Sequence, residues 1–127
     1  MLILTEYIAK HELKPLQKYF KLKDILSGSE KVLKNLAIET KPPQKIPGYK
    51  FFKVRIGQNV KGRMIVFMVV ENKKIVPLLI RLKKDKLFGM NIAMKNQDVV
   101  NQININLDKA LQDIQSGNYQ EFKLKGF

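Results

Sequence analysis

Between Tyr49 and Lys86 the chain packs three apolar runs into a short span, YKFFKVRI, GRMIVFMVV and IVPLLIRL, with only brief polar breaks between them. Lys50 to Ile56, Gly62 to Val70 and Ile75 to Leu82 are rich in Phe, Val, Ile and Leu, the composition of strands. A parallel return needs a crossover of roughly a dozen residues, so strands this close in sequence must pair antiparallel. The expected product is a three-stranded meander, around which the rest of the chain has to arrange itself. Four cations, Lys53, Arg55, Arg63 and Arg81, interrupt its otherwise apolar runs.

Side chains alternate faces along a strand, so Phe51, Lys53 and Arg55 share one side of the first run, and Phe52, Val54 and Ile56 share the other. The second side is the expected core face. In the middle run Met64, Val66, Met68 and Val70 alternate with Arg63, Ile65, Phe67 and Val69. Both sides are apolar except at the Arg63 end, which predicts a central strand covered twice. The third run has two possible registers. A two-residue loop of Asn72 and Lys73 sends Arg63 and Arg81 to opposite faces, whereas a three-residue loop including Lys74 brings Arg63, Arg81 and Lys83 together. The second separates the cations from Val76, Leu78, Ile80 and Leu82, and is the expectation adopted.

Before the meander, Leu2 to Leu4 suits a short strand, and Ile8, Leu13, Leu16 and Tyr19 approximate helical spacing. A helix is expected near Pro15 to Leu22, with an earlier start left open by the spacing over Glu6 to Tyr19. Ser27 and Glu30 have capping-box spacing ahead of Val32, Leu33, Leu36 and Ala37, which predicts a second helix to about Ile38. The prolines of Lys41 to Gly48 mark a connector. After it, Asp98 is the expected cap of a helix carrying Val99, Val100, Ile103, Leu107, Leu111 and Ile114 and ending near Gly117. Tyr119 to Leu124 reads as an edge strand or a free tail. The whole, residues 1–127, reads as one α+β domain: a small, mostly antiparallel sheet with two N-terminal helices packed on one face, and a C-terminal helix and tail from about residue 98.

Net charge is +13, and its distribution is more informative than its size. Residues 41–95 hold fourteen Lys or Arg against Glu71 and Asp85, while the segments on either side are close to balanced. Crowded like charges repel, so a surplus concentrated on the sheet points to a polyanionic partner. No apolar run reaches the roughly 18 residues of a membrane span, and the N-terminus lacks a signal-peptide pattern, so a cytoplasmic protein is expected. Without cysteine, and with His11 the one histidine, thiolate or histidine metal sites and the usual acid/base pairs are disfavoured. No cofactor or metal is expected.

Nucleotide-binding glycine loops, HExxH and nucleophile elbows are all missing from the sequence. Phosphoryl chemistry can proceed without them. RNA supplies its own nucleophile, the 2′-hydroxyl. A protein has only to align it with the phosphate, neutralise charge growing on the phosphoryl oxygens and manage two protons. Arg63 and Arg81 suit the oxygens, because guanidinium meets phosphate in a bidentate way. A lysine near Arg55 and Arg63 has its ammonium form disfavoured by like charge, which makes Lys53 the expected proton handler. Lys50, Lys61, Lys83, Lys84 and Lys86 are the expected RNA contacts.

In YKFFKVRI, KGRMIVFMVV and IVPLLIRLKKDK, preceded by two helices and followed by one, the chain resembles the RelE/ParE toxins of bacterial toxin-antitoxin pairs. The resemblance covers roughly residues 2–87. It implies helices on one face of a mostly antiparallel sheet and a basic concave face. By position it aligns Lys53 and Arg55 with paired strand cations, Arg63 with the phosphate-stabilising arginine, and Arg81 or Lys83 with the late cation. No tyrosine follows Lys86 where a late aromatic is usual, and the segment after Gly89 is longer than usual. The resemblance implies a messenger-RNA endoribonuclease acting at the ribosome and held in check by an acidic antitoxin. The alternative is a non-enzymatic ParE-like gyrase inhibitor or a basic nucleic-acid-binding module.

Overall fold

The computed structural model describes residues 1–85 and 96–125. Strands β1 (Leu2–Thr5), β2 (Ile38–Thr40), β3 (Tyr49–Ile56), β4 (Gly62–Val69), β5 (Ile75–Leu82) and β6 (Tyr119–Phe122) form one sheet in the order β2-β3-β4-β5-β1-β6. Every pairing is antiparallel except that of β1 with β5, so the α+β, mostly antiparallel expectation holds. The meander is β3-β4-β5, with β3 and β4 paired over their full length from Tyr49↔Val69 to Ile56↔Gly62.

The helical parts differ in detail from the sequence reading. After β1 the chain makes one turn of α-helix, α1 (Glu6–Ile8), then a π-helical turn (Ala9–Leu13) and a 3-10 turn (Lys14–Leu16). No regular helix runs from Pro15 to Leu22. The second helix, α2 (Leu22–Leu33), starts before Ser27, because the Asp24 carboxylate accepts the Lys21 N–H at 2.8 Å and satisfies the first turn. Ser27 and Glu30 therefore lie inside α2 and do not cap it. The last helix, α3 (Gln97–Ser116), is capped by Asn96 in place of Asp98, with Asn96 Oδ1 accepting the N–H groups of Asp98 at 2.9 Å and Val99 at 3.4 Å. It ends as expected at Gly117, whose left-handed φ of 77° closes the helix. Tyr119–Phe122 then joins β1 as the edge strand β6.

The helices take both faces of the sheet. On one, Ile25 and Val32 of α2 pack with Phe20, Val54, Ile56, Met64, Val66 and Ile80. On the other, Val99, Ile103, Leu107 and Ala110 of α3, spaced along one helical stripe, pack with Ile3, Phe51, Ile65, Phe67 and Leu79. β4 is thus central and doubly covered, as its two apolar faces require. Of the N-terminal helical parts, α2 packs against β3, whereas α1 packs against α3 on the other side. Among the described residues no helix is long and apolar enough to cross a membrane.

The turn between β3 and β4 is fitted around Phe20, a fully buried ring lying against Gly57 and Gly62. A Cβ on Gly57 would come within 2.7 Å of the ring, and one on Gly62 would overlap it outright. Gly62→Ala is expected to cost about 1–3 kcal/mol, as overpacking does. In urea unfolding this lowers the midpoint without changing the slope. A variant as stable as the parent would show that Phe20 can move aside.

Candidate functional site

The register of the meander sets the charged residues. Arg55 of β3 pairs with Arg63 of β4, and Arg63 pairs with Arg81 of β5. Directly opposed residues share a face, so three arginines form one row across adjacent strands, each about 5 Å from the next at Cα. Lys53 lies on the same face two residues further along β3, opposite Ile65. Like charges directly opposite one another destabilise a sheet, so placing Arg55 against Arg63 works against the pairing of β3 with β4.

The expected grouping of Arg63 with Arg81 is found, but the expected loop is not. Val69 and Lys74 close a four-residue turn, with Val69 N–H donating to Lys74 O at 2.9 Å and Lys73 in the left-handed region at φ 58°. In that register Arg63 would face Ile80, which would leave Arg81 on the opposite side. A β-bulge corrects this: Val66 pairs with Pro77 but Ile65 pairs with Leu79, so Leu78 is the extra residue. The bulge also overturns the expected segregation, because Val76, Leu78 and Leu79 all join the α3-side cluster while Ile80 joins the other. Pro77, which has no N–H to give a ladder, was the sequence signal for it.

β1 pairs with β5 at Leu2↔Ile75, and the second half of β5 has no paired strand on that side. Two side chains take the missing strand's place. The Glu12 carboxylate, brought inward by the π-helical turn, accepts the Ile80 N–H at 2.8 Å, and Asn106 Nδ2 donates to the Leu78 carbonyl at 2.7 Å. Both are almost entirely buried. Glu12 also accepts a hydrogen bond from Arg81 Nη1, whose second acceptor is the Ile80 carbonyl at 2.9 Å. Burial pushes the Glu12 carboxyl above its ordinary pKa, against the opposing pull of Arg81, the Ile80 N–H and Asn106. Arg81 is thus held in place by a buried acid that composition and spacing did not single out.

The central member of the row is Arg63, half-buried, with its Nη1 donating to the Gly62 carbonyl at 3.2 Å. Partial burial and the nearby Arg55 both lower its pKa. A guanidinium remains charged at neutral pH all the same. Arg55 is exposed and Lys53 half-buried, and α3 packs chiefly over β5 and β1, away from β3.

The remaining predicted contacts divide. Lys61 and Lys83 extend the row at the rim, where Lys83 N–H donates to the Lys61 carbonyl at 2.7 Å, and both side chains are exposed. Lys84 lies over the ring of Tyr19, with Nζ 5.4 Å from its centroid. Lys50 does not belong with them. It pairs with Met68, which puts it on the α2 side at the far end of β3, about 17 Å along the strand from Arg55, and its Nζ faces Glu39 at 3.9 Å. Lys86 lies outside the described residues. Among the described residues no group of three His, Cys, Asp or Glu could hold a metal ion.

No protein-family model, curated protein or solved structure matches the chain. The site has to be read from its own geometry.

Proposed function

We propose that this chain is a RelE-like toxin: an endoribonuclease that cuts messenger RNA at the ribosome and is restrained by an acidic antitoxin. The observation that supports it is the in-register row Arg55, Arg63 and Arg81 with Lys53 beside it on the same face. The repulsion of Arg55 directly opposite Arg63 is accounted for by a phosphodiester bound against the row.

In this reading the RNA's 2′-hydroxyl attacks the adjacent phosphorus and the 5′-oxygen leaves, giving a 2′,3′-cyclic phosphate. Arg63 and Arg55 bind the non-bridging oxygens and meet the charge that grows on them in the transition state. Arg81, fixed by Glu12, sets the third side of the phosphate site. Lys53 gives a proton to the leaving 5′-oxygen, and the proton of the attacking 2′-hydroxyl passes to solvent water. Cations do all of this work, so no metal is required by the scheme.

Primer extension on messenger RNA after induction tests the reading. Cuts within open reading frames, reproduced in EDTA by purified protein on programmed ribosomes, are the expected result. Intact message with arrested replication would favour gyrase inhibition instead. Lys53→Ala is expected to slow single-turnover cleavage by about 10²-fold, the scale of lost proton transfer. Lys53→Arg should bind RNA normally and still cut slowly, because an arginine does not give up its proton. Full activity in Lys53→Arg would reduce Lys53 to a charge.

A further inference from the structure

Beyond the arginine row, at the end of the strands, lies an open groove of about 470 Å³ lined by Tyr19, Asn59, Lys61, Leu82, Lys83 and Lys84. We propose that this groove is a nucleotide subsite, in which the base of one residue of single-stranded RNA stacks on Tyr19 while its phosphate is held by Lys61 and Lys83. The proposal rests on the ribonuclease reading and adds where the strand goes next to the scissile phosphate.

The parts fit that ligand individually. Tyr19 is 46% exposed, an unusual state for a large aromatic beside a well-filled core. Lys84 Nζ lies over one face of the ring, 5.4 Å from its centroid, so a base stacking on that face takes the place of a flexible, exposed lysine. A π-face that accepts an ammonium also accepts a base, and such stacking tolerates any base. Leu82 supplies an apolar wall, and Asn59, held in the left-handed region at φ 58°, supplies an amide for hydrogen bonding at the base edge. Lys61 and Lys83 are tied by their backbones at 2.7 Å, which keeps two ammonium-bearing chains at the mouth.

The groove is also in the right place. Lys61 is two residues before Arg63 and Lys83 two residues after Arg81, a displacement of at most about 7 Å along the chain. One phosphate on the arginine row and the next at the lysine pair is a natural step for a single strand. With its 2′-hydroxyl and phosphate on the row, the neighbouring nucleotide would drop its base over the sheet's end onto Tyr19.

The chain has no tryptophan, so Tyr19→Trp creates a single indole reporter at the proposed stacking surface. Titration of this variant with adenosine 5′-monophosphate is expected to quench its emission. Ribose 5-phosphate and inorganic phosphate should not. In fluorescence anisotropy with a labelled single-stranded RNA octamer, Tyr19→Ala is expected to bind about tenfold more weakly and Tyr19→Phe like the parent, the scale of one lost base stack. Arg63→Ala in the Tyr19→Trp background should lose cleavage and keep the quench, so a failed subsite and a failed ribonuclease are told apart. Absence of quenching, or equal quenching by ribose 5-phosphate, overturns the proposal. So does quenching by the mononucleotide with octamer binding unchanged in Tyr19→Ala, since the groove would then take a free nucleotide and not the RNA strand.

Discussion

Arg63→Ala is expected to lower the rate of RNA cleavage by about 10²–10³-fold while leaving the protein as stable as before, or slightly more so. The rate loss is the scale for removing one preorganised group from a developing phosphoryl charge. The stability expectation follows from register: Arg63 is directly opposite Arg55, the charge that lowers its pKa, and removing it relieves that repulsion. Single-turnover cleavage on programmed ribosomes gives the first quantity and thermal unfolding the second. A residue kept for the fold would lose both together. Unchanged cleavage would show that the row has another purpose.

Glu12→Ala should act in the opposite way, on the fold first. It removes the acceptor of the Ile80 N–H and the acid facing Arg81, both in a nearly dry site. Leaving a buried donor and a half-buried cation without their partner costs about 3 kcal/mol. For a chain of this size that is a melting temperature lower by roughly 10 °C. Glu12→Gln keeps an acceptor for Ile80 and should lose less. The pH dependence has a definite sign. The folded-state pKa of Glu12 lies above its unfolded value, so the folded protein holds this proton more tightly. The stability this adds is present in full below the unfolded pKa and is lost as pH rises through the raised folded pKa. Chemical denaturation followed across that interval should show a downward step in the parent that is missing in Glu12→Gln. The same slope in both would show that another group is titrating.

Much of this architecture was legible because it is written in short-range patterns. The meander follows from three apolar runs with no room for a crossover, and α3 from a stripe spaced for a helix and a glycine to end it. Arg55 and Lys53 fall on one face by simple alternation. What escaped the sequence reading depends on contacts between distant residues. Glu12 looks like any surface acid until the chain's first turns place it against an open half of β5, sixty-eight residues away. Tyr19 looks like a core aromatic at helical spacing, but the helix it was assigned to does not form. Helix α2 starts ahead of the Ser27 signal because Asp24, an acid at its third position, accepts the Lys21 N–H and takes the capping role. Lys50 resembles the other cations in composition, but period two along β3 puts it on the opposite side, with Phe52 and Val54.

The extra residue at Leu78 has a consequence of its own. A strand's sidedness behaves like a phase, and a single inserted position resets it for everything downstream. Shortening the strand there by one residue would leave its composition, charge and hydrophobicity almost untouched, yet turn the guanidinium of Arg81 away from its two companions. Whether three arginines or two share one face of this sheet is therefore decided by one leucine that pairs with none of them across the ladder.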